Sequence, residues 1–151
     1  VIGYLAGGII RGLFVATVVS FIALFFTELN IKYPLLTLLV IIMTAGVFSL
    51  AGLINAIFAK KFDDIAVIPS FVLAPLTYLG GVFYTVTLLP DFWQTLSRLN
   101  PILYMVNSMR YSVLGTSDIE IMDGLLMIAG FFILLLSVAV YLLKKGIGIR
   151  D

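Results

Sequence analysis

The sequence predicts an all-helical protein that crosses a membrane several times, and three observations support this fold class. Apolar residues make up 62% of the 151 residues and charged residues only 11%, whereas roughly a quarter of an ordinary soluble domain is charged. The apolar residues form long, uninterrupted runs, without the alternation of a membrane β-barrel strand. Most of the few charges lie at the ends of these runs. We therefore predict an all-α, polytopic membrane helical bundle.

The composition also argues against several classes of function. The sequence contains no His and no Cys, which removes thiolate nucleophiles and the common imidazole sites for metals and acid–base chemistry. Nine basic residues against eight acidic ones leave a net charge of +1, too little for a basic patch that binds nucleic acid. The motifs for a phosphate-binding loop, a serine hydrolase and a zinc protease are missing. We expect the chain to bind no cofactor or metal of its own.

Four segments can span the apolar core of a bilayer, which is about 30 Å thick and needs roughly 20 residues of helix. We predict these spans at about residues 8–26, 35–59, 65–86 and 122–143. The second and fourth spans are each followed by a pair of lysines, Lys60-Lys61 and Lys144-Lys145. These pairs mark the ends of the two clearest spans.

The first span is less clear because it contains Arg11. A charge at the bilayer centre costs about 2.5–3.5 kcal/mol on insertion scales, but near a helix end the long side chain reaches the interface at small cost. We therefore predict that Arg11 lies close to one interface and that residues 1–10 form an interfacial approach to the span. Because the sequence begins at Val1 in mid-pattern, we also expect it to be part of a longer chain.

The basic residues predict an orientation, since cytoplasmic loops of membrane proteins are enriched in Lys and Arg. With four spans, both ends of the chain face the same side. That side carries six basic residues, which are Arg11, Lys60, Lys61, Lys144, Lys145 and Arg150. The opposite side carries three, which are Lys32, Arg98 and Arg110. We therefore expect both ends in the cytoplasm.

Asp63 and Asp64 form the only adjacent acidic pair in the sequence. They directly precede the third span, where acidic side chains suit the positive end of a helix dipole. Asp64 is predicted to be the N-cap of this span. A catalytic or metal-binding carboxylate pair is the alternative, although the sequence places no third acid nearby.

The third span contains features that bend or interrupt a helix. Pro75 lies near its middle and removes a backbone hydrogen bond, so it is expected to kink the helix. Gly80 and Gly81 follow at a depth where the helix can break. Such a kink is either a fixed part of the architecture or a hinge for a conformational cycle, and Pro75, Gly80 and Gly81 are our candidate hinge residues.

The stretch from residue 84 to 123 is too long for a turn and predicts two short helices. In residues 91–99, the apolar side chains Phe92, Trp93, Leu96 and Leu99 share one face at helical spacing. A second helix begins at Pro101, is capped by Asn100, and runs to about residue 114, where Gly115 ends it. The pair is either an interfacial anchor or a re-entrant element over a transport path, since such elements occur where protein or a water cavity covers them.

Small residues recur at helical spacing within the second span, at Thr44, Gly46, Ser49 and Gly52. Membrane helices pack closely through small residues, and this is the interpretation we favour for them. Lining of a pore is the alternative.

Several spaced motifs are together similar to the ABC-2 type transport permeases. The run from Phe62-Asp63-Asp64-Ile65 through Pro69 to Tyr84 resembles this family. The further motifs that carry the resemblance are Gly80-Gly81-Val82-Phe83-Tyr84, Leu89-Pro90, Trp93, Asn100-Pro101, Tyr104, Arg110-Tyr111 and Gly115. The resemblance covers essentially all 151 residues. It is greatest to the small bacterial inner-membrane permeases grouped with drug, nodulation-factor and polysaccharide exporters.

The resemblance implies a six-span permease, of which our four spans are the third to the sixth. Its external re-entrant element corresponds to residues 87–115, with Pro90, Trp93, Asn100, Pro101, Tyr104 and Arg110 as candidate residues. The cytoplasmic side, with Arg11, Asp63 and Asp64, is the candidate coupling side. The implied partners are a second copy of the permease, two separate ATPase subunits that bind ATP and Mg²⁺, and membrane lipids.

These observations predict the membrane subunit of an ATP-driven exporter in a bacterial inner membrane. Two other classes remain as alternatives. One is a membrane-embedded enzyme that acts on lipid-linked substrates, which usually needs clustered acids or His. The other is a non-catalytic channel or scaffold subunit. Co-purification with a soluble ATPase would separate the three.

Overall fold

The computed structural model describes residues 1–28 and 30–146, except for the side chain of Phe62. All regular secondary structure in these residues is helical. Arg150 of the charge balance lies outside them. In chain order the α-helices are α1 (Ile2–Ala23), α2 (Pro34–Phe58), α3 (Phe62–Ile68), α4 (Ala74–Leu79), α5 (Asp91–Arg98), α6 (Pro101–Leu114) and α7 (Ile121–Lys145). A π-helical turn, Pro69–Leu73, joins α3 to α4, and a 3₁₀ turn, Val86–Leu88, precedes α5. The predicted all-helical class is therefore confirmed for the described residues.

Three of these helices, α1, α2 and α7, are long and apolar enough to cross a membrane. Their 22, 25 and 25 residues exceed the roughly 20 residues that the apolar core of a bilayer requires. They correspond to the first, second and fourth predicted spans. The small residues of α2 allow the close packing between them, as Gly46 lies directly against the ring of Phe132 in α7.

The third predicted span, residues 65–86, ends earlier in the structure. Helix α3, the π turn and α4 follow one another without interruption, and the amide of Ala74 donates to the carbonyl of Pro69 five residues before it. The helix stops at Leu79 because the next two residues leave the helical conformation, and Gly81 has a φ of +73°. Only a glycine adopts this backbone conformation at little cost.

Helix α1 is continuous through Arg11, which differs from the expected interfacial approach over residues 1–10. Arg11 is the tenth residue of this helix of 22 residues. Next to it, Gly12 contacts the methyl group of Ala45, which lies at the middle of α2. Arg11 therefore lies level with the middle of α2 and not near a helix end. The sequence could not show this, because the depth of α1 depends on which part of α2 it packs against.

Helix α2 is at the centre of the fold and contacts α1, α6 and α7. Val47 of α2, Met105 of α6 and Ile128 of α7 form a buried apolar cluster. At the beginning of α2, the amide of the N-cap residue Tyr33 donates to the carbonyl of Ser112, near the end of α6. Helix α6 therefore runs from the middle of α2 to its beginning, in the opposite direction.

Candidate functional site

The candidate functional site is the point where α4 ends, because α6 packs against the chain there. Gly80 and Gly81 are both buried. A Cβ atom on Gly80 would lie 2.8 Å from Cγ2 of Ile102, so the absence of a side chain allows α6 to approach. The end of α4 leaves backbone carbonyls without partners in the helix, and three side chains supply donors to them.

Asn100 joins the end of α4 to the beginning of α6. Its side-chain amide donates a hydrogen bond to the carbonyl of Leu76, 24 residues earlier in the chain. Its side-chain oxygen accepts a 3.0 Å hydrogen bond from the amide of Ile102. Asn100 is therefore the N-cap of α6, as predicted, and is at the same time a C-terminal partner of α4. Both halves of its amide group are used in a site where it is only 3% exposed.

Arg110 of α6 contacts the glycine break, which is the pair Gly80-Gly81 where α4 ends. Its guanidinium donates a 2.7 Å hydrogen bond to the carbonyl of Gly81 and forms a 3.3 Å ion pair with Asp118. The two side chains are 23% and 19% exposed, so water screens this pair only partly. The charge of Arg110 therefore faces two protein partners, Gly81 and Asp118.

Two tyrosines make the remaining contacts around the break. The hydroxyl of Tyr84 donates to the carbonyl of Tyr78 over 2.6 Å, and the hydroxyl of Tyr104 donates to the carbonyl of Arg98 over 2.7 Å. Tyr104 thus satisfies a carbonyl at the end of α5, just as Tyr84 does at the end of α4. The structure brings Asn100 and Arg110 to the end of α4 and Gly81, whereas the described hydrogen bond of Tyr104 lies at the end of α5.

Pro90, Pro101 and Trp93 have different positions in this region. Pro90 is the N-cap residue of α5 and Pro101 is the first residue of α6. Trp93 is 44% exposed and lies edge-on against Phe92. Gly115 ends α6 in the left-handed conformation, as predicted. The prolines and Gly115 therefore set helix ends, whereas Trp93 belongs to an exposed surface.

The apolar face of α5 points away from the described residues. The predicted set of apolar residues is exposed, and it consists of Phe92, Trp93, Leu96 and Leu99. Ser97, on the opposite face, is fully buried, and its hydroxyl has no partner among the described residues. Such a helix suits an apolar surrounding. In water, the apolar side chains would be expected to face the protein and the polar ones to face the solvent.

Pro75 is the second residue after the π turn and is exposed. The hydroxyl of Thr77 donates a 2.7 Å hydrogen bond to the carbonyl of Leu73, four residues earlier in the same helix. The described structure therefore shows two irregular features in this helix, the π turn and Pro75, before the glycine break is reached. Its candidate hinge residues lie along one short segment.

Asp63 and Asp64 lie apart from this site, in the turn between α2 and α3. The carboxylate of Asp64 accepts hydrogen bonds from the amides of Lys60 and Lys61, at 3.0 and 2.9 Å. Lys61 is the N-cap residue and Asp64 the third residue of α3, so the predicted N-cap position of Asp64 is wrong by three residues. The helix begins earlier because Asp64 reaches back to the free amides. Asp63 is exposed.

Sequence reasoning missed several partners at the site. Asp118, which pairs with Arg110, lies in the loop after α6 and belongs to no recognisable motif. Asn107 is 1% exposed, and its side-chain oxygen accepts from the amide of Asp118 and the hydroxyl of Ser117. The only signal in the sequence is that a charged residue in an apolar helix requires a partner within a few turns.

A second feature is a groove of about 1270 Å³ between α1 and α6, with α2 at its base. Ligand pockets for small molecules usually measure about 300–1,000 Å³, so this groove is large. Its lining is mainly apolar, and no acidic residue contributes to it. Arg11, Thr44 and Ser49 are among its few polar residues.

Comparisons with known proteins agree with the resemblance seen in the sequence. Residues 1–114 match the family model of the ABC-2 type transporter. The inner membrane transport permease YadH of Escherichia coli K12 is 47% identical over 149 residues, and the YadH proteins of Escherichia coli O157:H7 and Shigella flexneri show the same identity. Each match covers 99% of this chain and 58% of the relative, so the chain spans somewhat more than half the length of these relatives. No solved structure matches the chain. The chain belongs to the ABC-2 type transporter family.

Proposed function

We propose that the chain is the membrane-spanning permease subunit of an ATP-driven exporter in a bacterial inner membrane. Membership of the ABC-2 type transporter family and the similarity to inner membrane transport permeases support this proposal. The observation that carries it is the pair of hydrogen bonds from Asn100 and Arg110 to the end of α4. These bonds connect a broken membrane helix to a neighbouring helix, and such an element can exist in two arrangements.

In this proposal two copies of the permease form an interface along which the substrate moves outward. Two separate ATPase subunits bind ATP and Mg²⁺ on the cytoplasmic side, because the chain itself carries no phosphate-binding loop. Nucleotide binding favours one arrangement of the helices and substrate favours the other. Transport requires this difference, since a ligand shifts an equilibrium only through its unequal affinity for the two states.

Helices α5 and α6 form a re-entrant element on the outer side. The contact of Met105 with Val47, the fourteenth of the 25 residues of α2, supports a position deep in the bilayer. The outward-facing apolar side chains of α5 support contact with lipid or with a second copy. The continuous helix from α3 through α4 provides the third of the four predicted spans, and both ends of the chain lie in the cytoplasm.

The hinge of this permease is the segment from Pro75 to Gly81. Proline and π turns are the usual causes of bends in helices, and both occur here within one turn. The turn with Asp63 and Asp64 lies at the cytoplasmic end of the same helix and faces the ATPase. Motion that begins at this turn then reaches Asn100 and Arg110 through α3 and α4.

Reconstitution with the partner ATPase tests this function. We expect the full-length permease to co-purify with an ATPase and to change its rate of ATP hydrolysis in liposomes. Pro75→Ala and Gly81→Leu are expected to reduce the coupling of hydrolysis to export, whereas Gly130→Leu serves as the matched control, since a side chain at Gly130 meets open space. If no ATPase co-purifies, the proposed function is wrong. If both hinge variants couple normally, the hinge is wrong.

A further inference from the structure

The groove between α1 and α6 contains a charge that the described residues leave without a counter-ion. Arg11 lines this groove and is level with the middle of α2, as the contact of Gly12 with Ala45 shows. The ion pair found within residues 1–28 and 30–146 joins Arg110 to Asp118 and does not involve Arg11. Ionisable groups at this depth of a membrane generally mark a functional site.

Among the other polar groups of the groove, some have hydrogen-bond partners and one has none among the described residues. The hydroxyl of Ser49 donates to the carbonyl of Tyr4, and Arg110 is occupied by Gly81 and Asp118. The hydroxyl of Thr44 is buried without a partner among the described residues. Because Gly8 contacts Ser49 and Gly12 contacts Ala45, α1 and α2 run antiparallel, and Arg11 and Thr44 lie within about 3 Å of each other along the helix axes. The groove therefore offers a cation and a hydroxyl donor at one depth.

The rest of the groove suits hydrocarbon chains. On α6 its wall consists of apolar side chains that include Met105, Val106 and Met109, and methionine adapts its shape to different apolar ligands. On α1 the wall is flat, because Gly3 and Gly7 carry no side chains and have open space around them. The volume of about 1270 Å³ is above the usual range for drug-sized molecules.

We propose that this groove binds an anionic amphipathic molecule of the lipid class, whose phosphate or carboxylate pairs with Arg11. The hydroxyl of Thr44 donates to the same anionic group, and the acyl chains lie between α6 and the glycines of α1. This inference names the substrate class of the permease and in that respect rests on the proposed function. Binding itself needs no ATPase and can be measured separately.

The test compares two lipids with the same acyl chains and different charges. Purified full-length permease in detergent is titrated with phosphatidylglycerol or phosphatidylcholine, and the bound lipid is counted by native mass spectrometry. We expect about tenfold tighter binding of the anionic lipid, the gain of one charge-assisted hydrogen-bonded pair. Arg11→Gln is expected to abolish this preference. Arg98→Gln is the matched control, because Arg98 is exposed on α5 and does not line the groove.

Gly7→Leu tests the place of binding without disturbing the packing, since its side chain enters open space. It is expected to weaken the binding of both lipids by about tenfold or more. Equal binding of the two lipids, an unchanged preference in Arg11→Gln, or unchanged binding in Gly7→Leu would each overturn the proposal.

The competing occupants of the groove are a helix from a second copy and a segment of the full-length permease outside these 151 residues, and either would block labelling of a thiol in the groove of delipidated protein. These 151 residues contain no Cys, so Gly7→Cys in a full-length permease whose other cysteines, where present, are replaced by Ser provides a single thiol for labelling and cross-linking. We expect a lipid-soluble maleimide to label it in delipidated protein and phosphatidylglycerol to protect it. Disulfide-linked dimers through this thiol would overturn the proposal. Lipid preference without any co-purifying ATPase refutes only the transport function, and coupled transport without lipid preference refutes only this inference.

Discussion

The guanidinium of Arg110 donates a 2.7 Å hydrogen bond to the carbonyl of Gly81, which lies 29 residues earlier in the chain. Gly81 follows the end of α4, where backbone carbonyls have no helical partner, and each unsatisfied group costs several kcal/mol in an apolar medium. The same contact therefore makes the break tolerable and connects it to α6. A change at either residue should affect stability and coupling together.

Arg110→Ala is expected to destabilise the protein by about 1.5–3 kcal/mol, the usual value for a hydrogen bond to a charged group. Arg110→Lys should recover part of this loss, because a lysine reaches one partner but lacks the fork that serves both Gly81 and Asp118. Denaturant unfolding in detergent measures the effect. Arg98→Ala, at an exposed site on α5, is expected to stay within about 0.5 kcal/mol of the wild type. Equal losses at the two positions would contradict this account of Arg110.

Asn100→Asp separates the two roles of the Asn100 side chain. The variant keeps an acceptor for the amide of Ile102 but loses the donor for the carbonyl of Leu76. Leaving that partly buried carbonyl unpaired is expected to cost about 1–3 kcal/mol. Asn100→Ala also removes the helix cap and should lose a further ~0.5–2 kcal/mol. The prediction fails if thermal unfolding gives the same stability for Asn100→Asp and the wild type.

Gly80→Ala and Gly81→Ala are expected to destabilise for different reasons. At Gly81 the φ of +73° costs a residue with a side chain about 1–2 kcal/mol. At Gly80 the new methyl group meets Cγ2 of Ile102 at 2.8 Å, so the additional change Ile102→Ala should relieve part of the loss. Gly130→Ala, in open space within α7, should instead stabilise by about 0.5–1 kcal/mol. Unfolding of these four variants and of Ile102→Ala alone checks these signs, because relief means that the double variant loses less than the sum of the two single losses. If Ile102→Ala brings no relief, the close approach of α6 is not the cause.

Asp63→Ala and Asp64→Ala form a matched pair at the turn between α2 and α3. Asp64→Ala removes the acceptor for the amides of Lys60 and Lys61 and is expected to cost about 0.5–2 kcal/mol. Asp63 is exposed, so Asp63→Ala should leave the unfolding midpoint unchanged. If this turn contacts the ATPase, Asp63→Ala nevertheless lowers the stimulation of ATP hydrolysis. A normal ATPase rate in Asp63→Ala would exclude its carboxylate from coupling.

Local signals in the sequence were sufficient to predict α6. Asn100, Pro101 and Gly115 act within one turn of the helix ends, and both ends lie where these residues indicate. The long helices α2 and α7 were likewise predictable, because an uncharged apolar run of this length has few other stable forms in a membrane. In both cases the prediction depended only on residues within or next to the helix itself.

Features that depend on distant residues were not predictable. The depth of Arg11 follows from the contact of Gly12 with Ala45, and the target of the Asn100 amide is a carbonyl 24 residues away. The pattern of α5 shows an apolar face, but its outward direction depends on the surrounding medium. The early end of the third predicted span results from two adjacent glycines, whose effect on a helix depends on what α6 offers them.

The π turn between α3 and α4 determines how the residues of α4 are rotated about the helix axis. Such a turn is equivalent to one residue inserted into an α-helix, and one residue corresponds to a rotation of about 100°. Deleting a single residue from Pro69–Leu73 would restore regular winding and turn Leu76 and Gly80 away from α6. The carbonyl that Asn100 binds and the flat surface that Ile102 touches would then face elsewhere. The one extra residue of the π turn therefore determines which face of α4 contacts α6.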